Sequence, residues 1–541
     1  MIHADHVEPN WDSVQVLNHE FWSRWLPEVV DTSRVVPMLD GIVNGVPIGR
    51  PPCDRTVESP NWPSARECPS KVTDIIRADL SVGKLLGPFV SPPFDKYVVS
   101  PLGAIPKRGS DRIRLIHDLS YPTTESVNIG IDPEAYSLQY SSVDWAVSAC
   151  SKYEVPLLAN IDIKDAYKAV GVAGADWHLL GLRWQVPGLT GDYFFGKVLS
   201  FGLRSAPALF DEYACALEKI MPLVGVSCHV VRYVDDFLIV GRSESKVKGD
   251  LGLMIDTARS AGFTIQAEKV KGPCRVLEFL GIVLDLDRGV LRISDERMAE
   301  IRTILSDCQG LKLISKRRLL RVVGKLAFAA RVVRTGRAFL GRLIGLAKSA
   351  KALHHRVRLS AAARADLAWW QDCIQSHNGT CMMSPDWTQG EILHVFTDAS
   401  DYGFGAVWGD LWFGMVYSGQ MADLRSRSIN WRELHVAVRA MATWAPSFAG
   451  KKVMFHIDNQ ATCGILNKLY TPVGELMELV RLWCLLVESH SVITAVVYIN
   501  TNDNVLADAI SRGDLNTFFA THSGSPSRVW PTPISYFNEV V

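Results

Sequence analysis

The segment HVVRYVDDFLIVGR, residues 229–242, sets two adjacent aspartates between two apolar runs and so constrains the fold more than any other stretch. Successive strand residues point to opposite faces, so Asp235 and Asp236 can serve one site only if the chain turns there. The pattern therefore predicts a hairpin. An isolated aspartate pair is commonly a β-turn bonded to its own backbone, whereas well-packed flanking strands would hold both carboxylates rigidly enough to bind a metal.

The bulk composition indicates a globular protein of several domains. A chain of 541 residues with 48% hydrophobic content is expected to form about three or four domains. Its 11 cysteines include no Cys-x-x-Cys pair, which predicts reduced thiols rather than a zinc ribbon. No apolar run approaches the ~18 residues of a membrane span, and the first residues do not resemble a secretion signal. We therefore expect a soluble intracellular protein, in the cytoplasm or nucleus.

A net charge of zero hides a strongly basic region. From Lys312 to Arg364 there are 15 Lys and Arg residues and no Asp or Glu, and the apolar residues recur at helical spacing. Solvated helices usually mix the two signs of charge. The region is therefore predicted to bind a nucleic-acid backbone, with an ordinary solvated face as the alternative.

Two segments upstream of the hairpin change how the hairpin is interpreted. LLANIDIKDAYKAVGV, residues 157–172, predicts a buried strand that ends at Asp162, which by itself could merely cap the next turn. LSFGLRSAPALFDEYACALEKI, residues 199–220, predicts a loop followed by a helix. Together with the hairpin, these segments resemble the palm of a reverse transcriptase: a strand ending in Asp, then Phe-Gly-Leu, Ala-Pro and Phe, then Tyr-x-Asp-Asp.

The resemblance extends in both directions and implies specific roles. IPKRGSDRIRLIHDLS, residues 105–120, is similar to the fingers segment that grips the incoming triphosphate, and AGFTIQAEKV and LEFLGIVLD are similar to the segments that follow the hairpin. In such a polymerase two Mg²⁺ ions, with Mn²⁺ as an alternative, stabilise the attacking and leaving oxygens. The implied metal ligands are Asp162, Asp235 and, more weakly, Asp236. The implied substrate-binding residues are Lys107, Arg114, Tyr167, Phe201, Gly202 and Lys269, and the implied primer grip is Phe279, Leu280 and Gly281.

Tyr167 bears on the choice of nucleotide. By resemblance its ring lies under the sugar of the incoming nucleotide, where it should collide with a 2′-hydroxyl, so the resemblance implies dNTP substrates. A tyrosine packed in the core is the alternative interpretation. The competing enzyme class is an RNA-synthesising polymerase, which must accommodate the 2′-hydroxyl.

A second set of carboxylates follows a shift in composition near residue 390. Asp398 and Asp458 are placed at strand ends, Glu433 on an amphipathic helix and Asp508 on a short helix. Each residue has an ordinary explanation as a turn cap, a first-turn acid or an i,i+4 ion pair. In this order the four resemble ribonuclease H, which implies two further metal ions that activate water against the RNA strand of an RNA:DNA hybrid.

One position departs from that resemblance. Related retroelement domains often carry a histidine about ten residues before the last aspartate, and Tyr498 stands in its place here. The departure puts the turnover rate in doubt more than the chemistry. His456 and His490 are interpreted as ordinary strand or loop histidines.

The chain thus resembles the reverse transcriptase and ribonuclease H unit of a retrotransposon, gypsy-like or, more closely, DIRS-type. The implied fold is α/β (α+β): right-hand polymerase fingers, palm and thumb, then a ribonuclease H-like mixed-sheet domain. Implied partners are an RNA template, a DNA primer, RNA:DNA hybrid and dNTPs, while the oligomeric state is left open. The alternative is a domesticated or decayed protein that only binds nucleic acid. The expected segments are a packed but irregular N-terminal extension (1–90), fingers and palm (91–290), basic thumb and connection (291–388), ribonuclease H-like domain (389–515) and tail (516–541).

Overall fold

The computed structural model describes residues 10–51, 54–107, 110–140, 142–376, 379–382 and 391–532. The chain forms two compact units, Met1–Leu277 and Glu278–Val541, which are described separately. The expected boundary between residues 388 and 389 lies outside the described residues, as does the end of the expected tail. The boundaries expected near residues 90 and 290 stay predictions.

The first unit combines helices with two larger sheets and a hairpin. Its helices are α1 (His19–Val29), α2 (Thr32–Asn44), α3 (Pro63–Arg66), α4 (Pro69–Ser81), α5 (Val143–Cys150), α6 (Ala206–Leu223) and α7 (Glu244–Ser260). Its strands are β1 (Val57–Glu58), β2 (Leu85–Phe89), β3 (Val98–Val99), β4 (Leu102–Pro106), β5 (Ile113–His117), β6 (Leu157–Asp162), β7 (Gly181–Arg183), β8 (Tyr193–Gly196), β9 (His229–Tyr233), β10 (Asp236–Gly241) and β11 (Lys271–Cys274).

An antiparallel sheet of order β11-β6-β10-β9 lies at the centre of this unit. Strands β6 and β10 are almost wholly buried, as their continuous apolar sequences predict. The predicted hairpin is confirmed: β9 and β10 pair directly, and Val234 between them takes a positive φ of 57°. A β-branched residue rarely adopts this conformation, so the surrounding packing must impose the turn.

The N-terminal extension is packed as expected, but the expectation of irregular structure was wrong, because α1 and α2 are regular helices. Trp22 is fully buried in the same hydrophobic core as the palm strands, and its indole Nε1 donates to Ala261 O at 2.9 Å. Tyr213 of α6 donates its hydroxyl to Met38 O at 2.9 Å. Trp22 therefore anchors α1 to the palm.

The second unit begins within β12 (Val276–Phe279). Its helices are α8 (Asp295–Ser306), α9 (Lys316–Ala329), α10 (Gly341–Ser349), α11 (Ala361–Ser376), α12 (Ile429–Phe448), α13 (Gln460–Lys468), α14 (Gly474–Ser489), α15 (Val505–Ser511) and α16 (Leu515–Thr521). Its further strands are β13 (Ile282–Asp285), β14 (Val290–Ile293), β15 (Leu313–Ser315), β16 (Arg356–Arg358), β17 (Thr380–Met382), β18 (Ile392–Ala399), β19 (Gly403–Trp408), β20 (Leu411–Val416), β21 (Lys452–Ile457), β22 (Ile493–Tyr498) and β23 (Ser527–Arg528).

A six-stranded mixed sheet of order β22-β21-β18-β19-β20-β23 forms the C-terminal part of this unit. Strand β18 runs antiparallel to β19 and parallel to β21, and α12 packs against β18 and β19. The predicted fold class, a polymerase-like mixture of helices and sheets followed by a mixed-sheet domain, is confirmed. Within the described residues no helix has the length and apolar character needed to cross a bilayer, and none of the ten cysteines there is in a disulfide.

A buried ion pair joins the basic helical region to the mixed-sheet part of the second unit. Asp366 of α11 accepts two hydrogen bonds from the Arg481 guanidinium of α14, at 2.7 and 3.0 Å. Both side chains are at most 2% exposed, and Arg342 approaches the same carboxylate at 3.3 Å. Because a buried charge is stable only when paired, each side chain requires the other.

We predict that Asp366→Ala destabilises the second unit by about 3–5 kcal/mol, because Arg481 keeps its charge in the interior without its partner. The matched control is Asp307→Ala, which removes a 59% exposed partner of Arg318 and should change stability by less than about 1 kcal/mol. Urea denaturation of the full chain measures both. Equal effects of the two substitutions would show that the buried pair has no special role.

Candidate functional site: two carboxylate clusters

The palm aspartates meet because of strand register. Asp162, the last residue of β6, lies directly opposite Asp236, the first residue of β10, and Ile163 N donates to Asp235 O at 3.1 Å. The Lys269 ammonium donates to Asp162 Oδ2 at 2.8 Å. The structure therefore places the three aspartates predicted as metal ligands near one another, with Lys269 as a counter-charge, but their oxygens do not all lie within 4.8 Å of one another.

Burial makes these carboxylates hard to ionise together. Burial, together with repulsion from the Asp162 carboxylate, raises the pKa of Asp235 to about 6 and that of Asp236 to about 7. Lys269 acts in the opposite direction on both groups. Carboxylate oxygens crowded in this way are the donor set that a hard divalent cation prefers, so the palm cluster fits Mg²⁺ or Mn²⁺.

A cavity of about 520 Å³ opens beside the palm aspartates. Asp162 and Asp235 lie on its wall together with Lys107, Arg114 and Phe201, as the resemblance implied. Helix α4 forms another wall, which sequence reasoning missed because nothing in its sequence distinguishes it from an ordinary surface helix. The cations lining the cavity are Lys71, Lys107, Arg112, Arg114, Lys164, Lys168 and Lys269. Three of the six aspartates in the same lining pair with Lys71, Lys168 and Lys269, so the excess of positive charge that would attract an anion is small.

Tyr167 packs on the cavity wall instead of lining the cavity. Its ring lies 4.9 Å from that of Phe201, and burial raises the pKa of its hydroxyl to about 12. Gly202 adopts a φ of 116°, and a Cβ atom there would lie 2.0 Å from His117 O, so only glycine fits. The structure therefore confirms neither interpretation of Tyr167, but it fixes Tyr167 against a cavity residue.

The predicted primer grip lies in the second unit. Phe279 is buried at the end of β12, and Leu280 and Gly281 form a tight turn with φ values of 53° and 79°. A Cβ atom on Gly281 would meet the Arg297 guanidinium at 2.6 Å. The segment is thus a well-defined turn, and its role as a grip stays a prediction.

Three carboxylates of the second unit form a tighter cluster. Ligand oxygens of Asp398, Glu433 and Asp458 lie within 4.8 Å of one another. Asp398 is the penultimate residue of β18, Asp458 follows the parallel strand β21, and Glu433 projects from α12. Adjacent parallel strands end at one sheet edge, which is why residues distant in sequence converge there.

This cluster has the properties of a cation site. Burial raises the pKa of Asp398 to about 7, and burial and the two aspartates hold that of Glu433 well above its usual range. Glu433 Oε1 accepts from Ala399 N at 3.1 Å, whereas Oε2 is buried and has no hydrogen-bond partner in the described part of the chain. An unpartnered buried carboxylate oxygen is costly, and a divalent cation would satisfy it.

The fourth predicted ligand, Asp508, lies beside the cluster and is paired with a cation. The Asp508 carboxylate accepts from Arg512 Nε at 2.7 Å, the i,i+4 ion pair considered as the ordinary explanation. Sequence reasoning missed two hydroxyls. Ser511 donates to Asp398 Oδ2, and Thr501 donates to Asp458 Oδ2 at 2.8 Å. A serine three residues after Asp508 shares its helix face, but no sequence signal identifies its partner on β18.

Tyr498 and His456, two further positions considered in the sequence analysis, have different surroundings. Tyr498, which replaces the expected histidine, ends β22 with 48% of its surface exposed. His456 is not isolated: its Nε2 lies 2.8 Å from His394 Nδ1, and its ring stacks on Phe396. Burial lowers the pKa of His456, which is consistent with an ordinary strand histidine.

The basic region is partly neutralised by acids outside it. Arg318 approaches Asp307 at 3.6 Å, and Lys325 pairs with Glu300 of α8. Arg317 and Arg321 are exposed, and their side chains make no hydrogen bond or ion pair to any described residue. Only part of the run is therefore free to contact phosphate.

Comparison with known proteins identifies part of the chain. The family Reverse transcriptase (RNA-dependent DNA polymerase) matches residues 105–284, which include all of the residues predicted for polymerase chemistry. The chain is 21% identical over 357 residues to the Retrovirus-related Pol polyprotein from transposon opus of Drosophila melanogaster, covering 63% of this chain and 32% of the relative. It is 24% identical over 379 residues to the Gag-Pro-Pol polyprotein of Bovine leukemia virus (isolate Australian), covering 68% and 24%.

Solved structures similar to the chain include foamy viral protease-reverse transcriptase. In complex with double-stranded DNA it is 13% identical, with a TM-score of 0.49, covering 89% of this chain and 97% of that chain. In complex with RNA/DNA hybrid it is 14% identical, with a TM-score of 0.48, covering 89% and 63%. The chain spans less than a third of each of the two polyproteins, so the match concerns a part of them. Residues 105–284, about a third of this chain, are similar to the reverse transcriptase family.

Proposed function

We propose that the chain copies RNA into DNA and cleaves the RNA strand of the resulting hybrid, at two separate carboxylate sites. The observation that carries the proposal is the pair of clusters on separate sheets: Asp162 opposite Asp236 in the first unit, and Asp398 with Glu433 and Asp458 in the second. We further propose that it belongs to a retrotransposon of the gypsy-like or, more closely, DIRS-type class.

At the palm site, Asp162, Asp235 and Asp236 would hold the two Mg²⁺ ions, and bound Mg²⁺ would stabilise charge on the attacking and leaving oxygens. Lys107 and Arg114 face the same cavity and offset the charge of a triphosphate. RNA template, DNA primer and dNTPs are the proposed substrates.

At the second site, Asp398, Glu433 and Asp458 would hold the metal, with Asp508 at its edge. Bound metal would activate water for attack on the RNA strand. Ser511 and Thr501 orient two of the carboxylates by donating hydrogen bonds to them. A decayed copy that only binds nucleic acid is the second candidate, but buried like-charged clusters destabilise the metal-free fold, so without selection for function they would be lost.

We predict that Asp235→Asn abolishes DNA synthesis and spares RNA cleavage, and that Asp458→Asn does the reverse. The amide keeps the shape of the side chain but loses its charge, so each loss should exceed about 10²-fold. A labelled RNA annealed to a DNA primer reports primer extension and RNA shortening in one reaction. Loss of both activities in either variant with unchanged circular dichroism would contradict two independent sites, and retained synthesis in Asp235→Asn would contradict the palm assignment.

We predict that Glu433→Gln stabilises the metal-free protein by about 1 kcal/mol or more, because the amide cannot ionise and so avoids the cost of either a charge or a bound proton beside two buried carboxylates. In Mg²⁺ the wild type should gain thermal stability and the variant should gain less, because only its palm site is left intact to bind the ion. Melting curves in EDTA and in Mg²⁺ measure both effects. Glu475→Gln, on a surface ion pair with Arg427, is the matched control and should leave the Mg²⁺ effect intact. Destabilisation of Glu433→Gln in EDTA would show that Glu433 is structural.

We predict that replacing Arg317 and Arg321 with Gln weakens binding to duplex nucleic acid. Each lost phosphate contact should lower the slope of log affinity against log salt by about 0.9 for a B-form duplex. The same replacement at Arg318 and Lys325, which pair with Asp307 and with Glu300 of α8, removes equal charge and should change the slope less. Fluorescence anisotropy between low and high salt measures the slopes. Equal slopes for the two double variants would show that the exposed cations make no direct contact.

A further inference from the structure

Residues 45–50 (GVPIGR), here called the strap, connect the N-terminal helices to the palm. Val46 N donates to Gly171 O at 2.8 Å, and Ala173 N donates to Val46 O at 3.0 Å. The strap thereby pairs with the backbone that follows Tyr167. The backbone segment that contains Tyr167 forms one side of the contact between Tyr167 and the cavity wall.

The strap also holds the other side of that contact. The buried Ser205 hydroxyl donates to Ile48 O at 2.8 Å, and Ile48 N donates to Asp176 Oδ2 at 2.9 Å. Ser205 ends the loop that begins at Phe201 and leads into α6. One residue of the strap is therefore bonded to the loop that places Phe201 on the cavity.

The two segments that the strap contacts are paired with each other as well. Leu199 N donates to Val170 O at 3.0 Å, and the rings of Tyr167 and Phe201 lie 4.9 Å apart. The strap, the Tyr167 segment and the Phe201 segment thus form one hydrogen-bonded layer. A shift of the strap would therefore disturb the segments that carry the two rings.

We propose that the strap is a positioning element for nucleotide selection, which fixes Tyr167 against Phe201 and so sets the affinity for dNTPs and the exclusion of ribonucleotides. The proposal rests on the proposed polymerase function. Its physical basis is that a misplacement of about 1 Å in a supporting residue can change a rate by about 10²-fold.

Gly45→Ala tests the strap most directly. Gly45 has a φ of 84°, and a Cβ atom there would lie 2.3 Å from the carbonyl carbon of Val172, so alanine must push the strap away from the Tyr167 segment. The matched control is Gly83→Ala, which has a φ of 72° but nothing within 4 Å of the new Cβ atom. Ser205→Ala is a second variant that only removes the hydrogen bond to the strap.

The measurement is single-nucleotide primer extension on an RNA template, with kcat and KM for a dNTP and for the matching ribonucleotide. We expect Gly45→Ala to raise the KM for the dNTP about tenfold and to reduce the preference for the dNTP over the matching ribonucleotide. The reason is that the Tyr167 ring is displaced. Ser205→Ala should shift both quantities in the same direction by less. Gly83→Ala should have the same KM and nucleotide preference as wild type. Tyr167→Val, which lacks the ring altogether, shows how large the change in both quantities can become.

A lower kcat in Gly45→Ala and Ser205→Ala, with KM and nucleotide preference as in wild type, would overturn the proposal and leave the strap a purely structural brace. If Gly45→Ala does not fold, Ser205→Ala decides by the same two readouts. Failure of the wild type itself to extend the primer would overturn the polymerase function, and the strap proposal with it. That result is read from the wild-type reaction alone, so the two failures are distinguishable.

Discussion

Repulsion between buried carboxylates is the constraint on which the rest of the structure depends. Asp162, Asp235 and Asp236 lie close together in the palm. Repulsion between neighbouring carboxylates raises the free energy of the ionised state of Asp235 and Asp236. Strands β6 and β10 hold them there because nearly every residue of both strands is buried. The apolar core thus offsets the electrostatic cost of the site.

The negative charge of the two clusters is offset in different ways. In the palm, the ammonium of Lys269 lies against Asp162. In the mixed-sheet part, no cation lies within ion-pair distance of Asp398, Glu433 or Asp458 among the described residues, and neutral donors such as Ser511 and Ala399 N contact the cluster. The second cluster therefore has the greater need for a bound cation.

The sequence predicts features that depend on neighbours along the chain and misses those that depend on distant contacts. The hairpin at Asp235 and the strand that ends at Asp162 follow from local apolar patterns, and the structure has both. The anchoring of Trp22 to Ala261 joins residues 239 positions apart, so no local pattern could reveal it. For the same reason the pairing of Lys325 with Glu300 was missed, since the acid lies outside the basic run.

The proposed chemistry requires that the chain hold divalent metal at two separate carboxylate sites. Anomalous diffraction from crystals of the chain soaked in Mn²⁺ locates such ions without any assay of activity. We expect peaks among Asp162, Asp235 and Asp236 and, separately, among Asp398, Glu433 and Asp458. Fully occupied peaks elsewhere, with none at either cluster, would contradict the proposed chemistry.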